Sequence, residues 1–119
     1  METLYNNQGK AVAYLYDDNE HIYMYDGTPV GFLRDEHVYN FNGRYLGWVN
    51  NGWYYDRNGQ PAFFTENSSG GPSRPARQAR PARGARQTRT AKGAREARPA
   101  KPARSLSWSK YTDIDYFRQ

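Results

Sequence analysis

Four twelve-residue segments of this chain align with one another without a gap: LYNNQGKAVAYL (4–15), IYMYDGTPVGFL (22–33), VYNFNGRYLGWV (38–49) and YYDRNGQPAFFT (54–65). Their central glycines, Gly9, Gly27, Gly43 and Gly59, stand 18, 16 and 16 residues apart. A tyrosine precedes each glycine by four positions (Tyr5, Tyr23, Tyr39, Tyr55), and an aromatic follows it by five (Tyr14, Phe32, Trp48, Phe64). A unit this short cannot bury an apolar face by itself, so each copy must find its partner in the next.

Each segment reads as two short strands around a tight turn. Asp26-Gly27, Asn42-Gly43 and Asn58-Gly59 are the dipeptides favoured at the centre of a two-residue type I′ turn, with Gln8-Gly9 a weaker version. Such a turn would set Tyr5 opposite Val12, Tyr23 opposite Val30, Tyr39 opposite Leu46 and Tyr55 opposite Ala62. The connectors 16–21, 34–37 and 50–53 are short and polar, and Asn50-Asn51-Gly52 is itself turn-like. The expected fold is all-β: eight short strands in four hairpins about a pseudo-fourfold axis, forming a shallow barrel or flower, with negligible helix before residue 105. One strand face carries the tyrosines and late aromatics. The other carries Leu4, Ile22 and Val38 with the small residues Ala13, Gly31 and Gly47, which predict close backbone approach. Both faces are apolar, so the pattern leaves open which one lines the axis.

The turn signature, the fourfold copy number, and the spacing Gly27/Gly31 and Gly43/Gly47 make residues 4–65 similar to the 4-fold β-flower family. The resemblance implies a shallow barrel of petal-like hairpins. It brings no established activity and no catalytic residues with it.

Charge divides the chain into three parts. Residues 1–66 hold four basic and nine acidic side chains, a net of −5, and form the expected hairpin domain. Residues 67–104 hold eleven basic side chains against Glu96 alone, a net of +10. Those eleven occupy every third position: Arg74, Arg77, Arg80, Arg83, Arg86, Arg89, Lys92, Arg95, Arg98, Lys101 and Arg104. A nine-residue unit overlies them (RPARQARPA, RGARQTRTA, KGAREARPA, then KPAR). Prolines at 75, 81, 99 and 102 forbid a continuous helix, and no core-forming side chains are present, so composition predicts a disordered, low-complexity arm. In polyproline II geometry its cations would line one edge ~95 Å long, suited to nucleic acid or another polyanion. The same arm also reads as a self-repelling linker, or as a screen lying against the acidic domain.

Aromatics return in residues 105–119. Trp108, Tyr111, Tyr116 and Phe117 predict a docking segment, in cis on an open face of the petals or on another molecule. Thr112 or Asp113 is placed to cap a short final helical turn.

Little in the chain carries reaction chemistry. With no cysteine, thiolate catalysis and Cys-based zinc sites are excluded. His21 and His37 occupy equivalent repeat positions, but the other repeats have Thr3 and Trp53 there, which argues against a metal site. The serines lie only in the arm and tail, without an adjacent histidine. Ser68-Ser69-Gly70-Gly71-Pro72 reads as a hinge. No secretory signal and no apolar run of ~20 residues is visible, so a cytoplasmic, soluble protein without cofactor is expected. The function expected is a non-enzymatic binding or scaffolding module. In it the β domain is the platform and the arm a polyanion contact. The alternative is a structural self-assembler in which the arm is only a linker and the tail meets another copy.

Overall fold

The computed structural model describes residues 1–119 and lays down eight strands in chain order: β1 (Glu2–Tyr5), β2 (Ala11–Leu15), β3 (His21–Met24), β4 (Pro29–Arg34), β5 (His37–Tyr39), β6 (Tyr45–Asn50), β7 (Trp53–Asp56) and β8 (Pro61–Phe64). Each pairs antiparallel with the next, and β1 returns to β8 through Tyr5 and Phe64, closing a barrel. Closure removes the free edges that short strands otherwise leave. The only helix is a 3-10 segment, Asp113–Arg118.

The hairpin turns differ from the type I′ expectation. The N–H of Gly9 donates to the carbonyl of Asn6 (3.0 Å), and Gly27, Gly43 and Gly59 repeat this with Met24, Asn40 and Asp56 at 2.9, 3.0 and 3.1 Å. Each glycine is therefore the last residue of a four-residue turn, at φ +76°, +97°, +88° and +83°. Asp26, Asn42 and Asn58 stay out of the positive-φ region. A glycine in this place inserts one extra residue, a G1-type bulge. Tyr5, Tyr23, Tyr39 and Tyr55 consequently face Ala11, Pro29, Tyr45 and Pro61, one position short of the expected partners. Paired positive φ values occur in the connectors instead, at Asp35 (+53°) with Glu36 (+65°) and at Asn51 (+50°) with Gly52 (+79°).

The face bearing Leu4, Ile22, Val38 and Tyr54 lines the axis. With Val12, Val30, Leu46 and Phe63 these residues form a buried core. Gly31 and Gly47 sit on the same face where the next strand approaches closely, as expected: a Cβ would lie 2.6 Å from the Tyr39 carbonyl oxygen and 1.8 Å from that of Tyr55, and the tail packs beside both. A Cβ on Gly31 would touch the Phe117 ring at 3.4 Å, and one on Gly47 would lie 3.0 Å from the Tyr116 hydroxyl. The fourth repeat, lacking that glycine, presents Phe63, which packs on both tail rings at 5.1 and 6.0 Å between centroids.

The arm is not disordered. It takes an extended course without helix or strand and runs around the outside of the barrel as a belt. Composition predicted disorder because the arm has no core of its own. The petals supply the missing partners. The belt also replaces the single-edged ribbon: the whole molecule is a disc of 37 × 36 × 22 Å.

Candidate functional site

The outward faces of neighbouring petals meet in four aromatic stacks. Tyr5 lies on Phe64, Tyr14 on Tyr23, Phe32 on Tyr39, and Trp48 on Tyr55, with centroids 5.5–5.8 Å apart and ring planes within 21–26°. Each pair couples the late aromatic of one repeat to the early tyrosine of the next, with the fourth closing on the first. Offset stacking of this kind adds about 0.5–1.5 kcal/mol beyond burial.

The belt lies over this rim, with one anchoring bond per petal at nine-residue spacing. Gln78, Gln87, Glu96 and Ser105 donate their N–H groups to the carbonyls of Gly9, Gly27, Gly43 and Gly59 at 2.8, 2.9, 2.8 and 2.8 Å. Gly84 and Gly93 add bonds to Tyr25 and Phe41, both 2.7 Å. The carbonyls of Ala76, Ala85, Ala94 and Ala103 sit against the turn glycines so closely that a Cβ there would lie 1.9, 1.9, 2.0 and 2.5 Å away. Glycine at these turns thus meets two demands, a positive φ and room for the belt.

The belt cations rest on the aromatics at a period of nine. Arg83, Lys92 and Lys101 cover Tyr14, Phe32 and Trp48 at 5.4, 4.9 and 5.7 Å. Arg77 and Arg95 cover Tyr5 and Tyr39 at 5.8 and 5.9 Å, and Arg86 covers Tyr16 at 4.1 Å. Arg89 and Arg98 donate to the hydroxyls of Tyr23 and Tyr39 at 3.0 and 2.9 Å. Arg74 donates to Ser68, and Arg104 to Asn50. Carboxylates take four of the cations: Glu66 is within 3.6 Å of Arg77 and 4.0 Å of Arg80, Glu20 within 2.5 Å of Lys92, and Asp35 within 2.9 Å of Arg98. The Lys92 hydrogen bond lowers the pKa of Glu20, and the Arg98 hydrogen bond does the same for Asp35. The other seven (Arg74, Arg83, Arg86, Arg89, Arg95, Lys101 and Arg104) have no carboxylate within 4.0 Å, and all are exposed.

The tail crosses from rim to mouth. Trp108 packs edge-on against Trp53 and Phe64 at 5.5 and 6.3 Å. Tyr111 is half-buried against the core, while Tyr116 and Phe117 fill the mouth. One repeat position receives the tail in three petals. Asn6 donates to Asp113 (2.9 Å), Asn40 donates to the Phe117 carbonyl (3.3 Å), and Asp56 accepts from buried Ser109. The same three side chains accept two N–H groups of their own turns, so they shape each hairpin as well as the mouth. Thr112 occupies the cap position of the 3-10 helix without making a side-chain cap bond, and Asp113 has φ +52°.

The two histidines do not converge. His21 pairs with Asp18 at 2.6 Å and His37 with the Tyr45 hydroxyl at 2.7 Å. Burial, together with Arg98 and Lys101, lowers the pKa of His37. Burial works against ionisation of Asp18, but hydrogen bonds from His21 and from the Glu20 N–H outweigh it and bring the pKa to about 2. No group of three or more His, Asp or Glu side chains is disposed to hold a metal ion, and no helix is long and apolar enough to cross a membrane. The hollows are shallow; that of about 490 Å³ lies between the first two petals, beneath Pro81 and Ile114.

The sequence pattern revealed the basic period but not what each cation touches, and it passed over Asn6, Asn40 and Asp56. The available signal was copy number, three nine-residue units and a truncated fourth beside four hairpins. Among curated proteins and among solved structures nothing matches the chain. A family model described as 4-fold beta flower protein matches residues 2–117, reaching past the hairpins through belt and tail. With four petals closed about one axis, and with the match spanning nearly its whole length, this chain belongs to the 4-fold beta flower family.

Proposed function

We propose that the protein is a non-enzymatic binding module whose belted rim carries a polyanion, nucleic acid being the class that fits its charge and spacing. The observation that carries the reading is the set of seven exposed belt cations with no carboxylate within 4.0 Å. Four of them (Arg83, Arg86, Arg95 and Lys101) lie over aromatic rings and the other three are held by hydrogen bonds, so a phosphate backbone meets charges that are already ordered and loses less side-chain entropy on contact. Binding of this kind is driven by counterion release and is indifferent to base sequence.

The test is the salt dependence of duplex DNA binding by the full chain. Log affinity should fall linearly with log salt and be equal for unrelated sequences. Replacing Arg83, Arg86, Arg89 and Arg95 by glutamine should reduce the slope by roughly 3–4 if all four meet phosphate. Replacing the carboxylate-paired Arg77, Arg80, Lys92 and Arg98 should change it less. Absence of binding at low salt would refute the reading.

A further inference from the structure

The contacts between belt and petals are repeated too closely to be only packing. In every petal the carbonyl of the turn glycine accepts an N–H from the belt two residues after an alanine whose own carbonyl sits against that glycine. In the two central petals a second carbonyl, of Tyr25 or Phe41, accepts from Gly84 or Gly93. The outer units have Pro75 and Pro102 at that place, which cannot donate. The third unit is the most fully engaged. Lys92 lies over Phe32, Arg95 over Tyr39, and Arg98 bonds the Tyr39 hydroxyl, while the Glu96 carboxylate accepts from the Tyr45 N–H at 2.7 Å.

From this repetition we infer that each petal turn is a binding site for an extended cationic peptide, and that the chain's own arm is a tethered occupant of four such sites. What the site reads is main chain plus position. Its ligand must present a carbonyl against the turn glycine and an N–H two residues on, with glycine before the alanine at the central petals and proline at the outer ones. Cations must follow at every third position to cover the aromatic stack. None of these requirements involves the tether. Main-chain bonds supply affinity and side-chain pockets supply selectivity, as in other modules that take up an extended peptide. The tether adds effective concentration, in the millimolar range for a short flexible link. A free segment of the same chemistry therefore competes only where a unit has been released. The central petals, with two main-chain acceptors each, are the stronger sites. This inference is independent of the polyanion reading, because it concerns the petals and not the exposed faces of the cations.

The test vacates one site in the full-length protein. A Cβ on Gly93 would lie 2.5 Å from the Asn42 carbonyl, so Gly93→Val should release the third unit while leaving every petal residue in place. Amide exchange at Glu96 reports the release, and the probe is the nine-residue peptide TAKGAREAR, corresponding to residues 90–98. Titrated into the isotope-labelled variant, it should shift the amides of Tyr39, Phe41 and Gly43 to saturation and leave the wild-type spectrum unchanged. A peptide carrying valine at its glycine should not bind, and one with its three cations replaced by glutamine should bind at least tenfold more weakly. A second variant, Lys92→Gln with Arg95→Gln and Arg98→Gln, changes only exposed side chains and should also release the unit and accept the wild-type peptide. Equal shifts in wild type and variant would mean mere charge attraction and would overturn the inference. So would a third unit that stays docked in both variants, or a vacated petal that ignores the peptide.

Discussion

Phe117→Ala probes the tail where its contribution to the barrel is largest. The ring is 4% exposed, stacks on Phe63 at 6.0 Å and 19°, and meets Tyr116 edge-on at 5.1 Å. Its ring lies beside Gly31, which has no side chain to move into the space a truncation would leave. Truncating a buried phenylalanine to alanine costs about 3–5 kcal/mol, and a site that opens at a mouth belongs at the lower end because water can enter. A second limit also applies. The tail contributes no strand to the barrel and can leave without unfolding the strands, so the loss cannot exceed the tail's own docking free energy. Phe117→Ala should therefore lower stability by about 3 kcal/mol, and combining it with Tyr116→Ala should cost less than the two single losses together. Urea unfolding followed by tryptophan fluorescence measures both, and uptake of a dye such as ANS reports the opened mouth. A loss below ~1 kcal/mol without dye uptake would refute the reasoning, since it would mean that the barrel fills its axis without the tail.

Two further outcomes are expected. The Tyr54 hydroxyl is buried with no hydrogen-bond partner, whereas that of Tyr116 donates to the Tyr55 carbonyl at 2.9 Å. Tyr54→Phe should be neutral or stabilising by up to ~1 kcal/mol and Tyr116→Phe destabilising by about 1–2 kcal/mol, so shifts of the same sign in thermal melts would contradict the assigned environments. Acid should weaken the fold in two windows. His37, its pKa lowered in the folded state, contributes stability that is full above the ordinary histidine value and is lost as pH falls through the lowered one. Asp18, at about 2 in the folded state, contributes stability that is present above the usual carboxylate range and is lost as pH falls towards 2. In Asp18→Asn the second window should shrink; an unchanged acid transition there would rule Asp18 out as its source.

The fourfold hairpin plan was legible because its signal is local, a glycine turn flanked by aromatics at fixed offsets. Register was not. A glycine after Asp or Asn fits both the centre of a type I′ turn and the end of a bulged turn. Only the bond from Gly9 to Asn6 and its three counterparts separates the two. The lining face was hidden because Leu4 and Tyr5 are both apolar and both buried, one by the core and one by the belt. The belt itself escaped a compositional reading for a physical reason. Segments poor in large apolar residues remain unfolded when they must order themselves, and this one is ordered by surfaces far earlier in the chain, as the bond from the Gln78 side chain to the Gln8 carbonyl, 70 residues away, illustrates. Trp108, Tyr116 and Phe117 stood out in sequence as anchors, but their destinations, Trp53 and Phe64 for the first and Phe63 for the other two, are assembled only once the barrel is closed.

The chain circles its axis twice, first as strands and then as a belt that visits the petals in the same order. That double circuit locks the lengths of two segments to each other. A hairpin gained or lost by duplication leaves every later belt unit facing the wrong turn unless nine residues are gained or lost with it. Petal number and belt length must therefore change together.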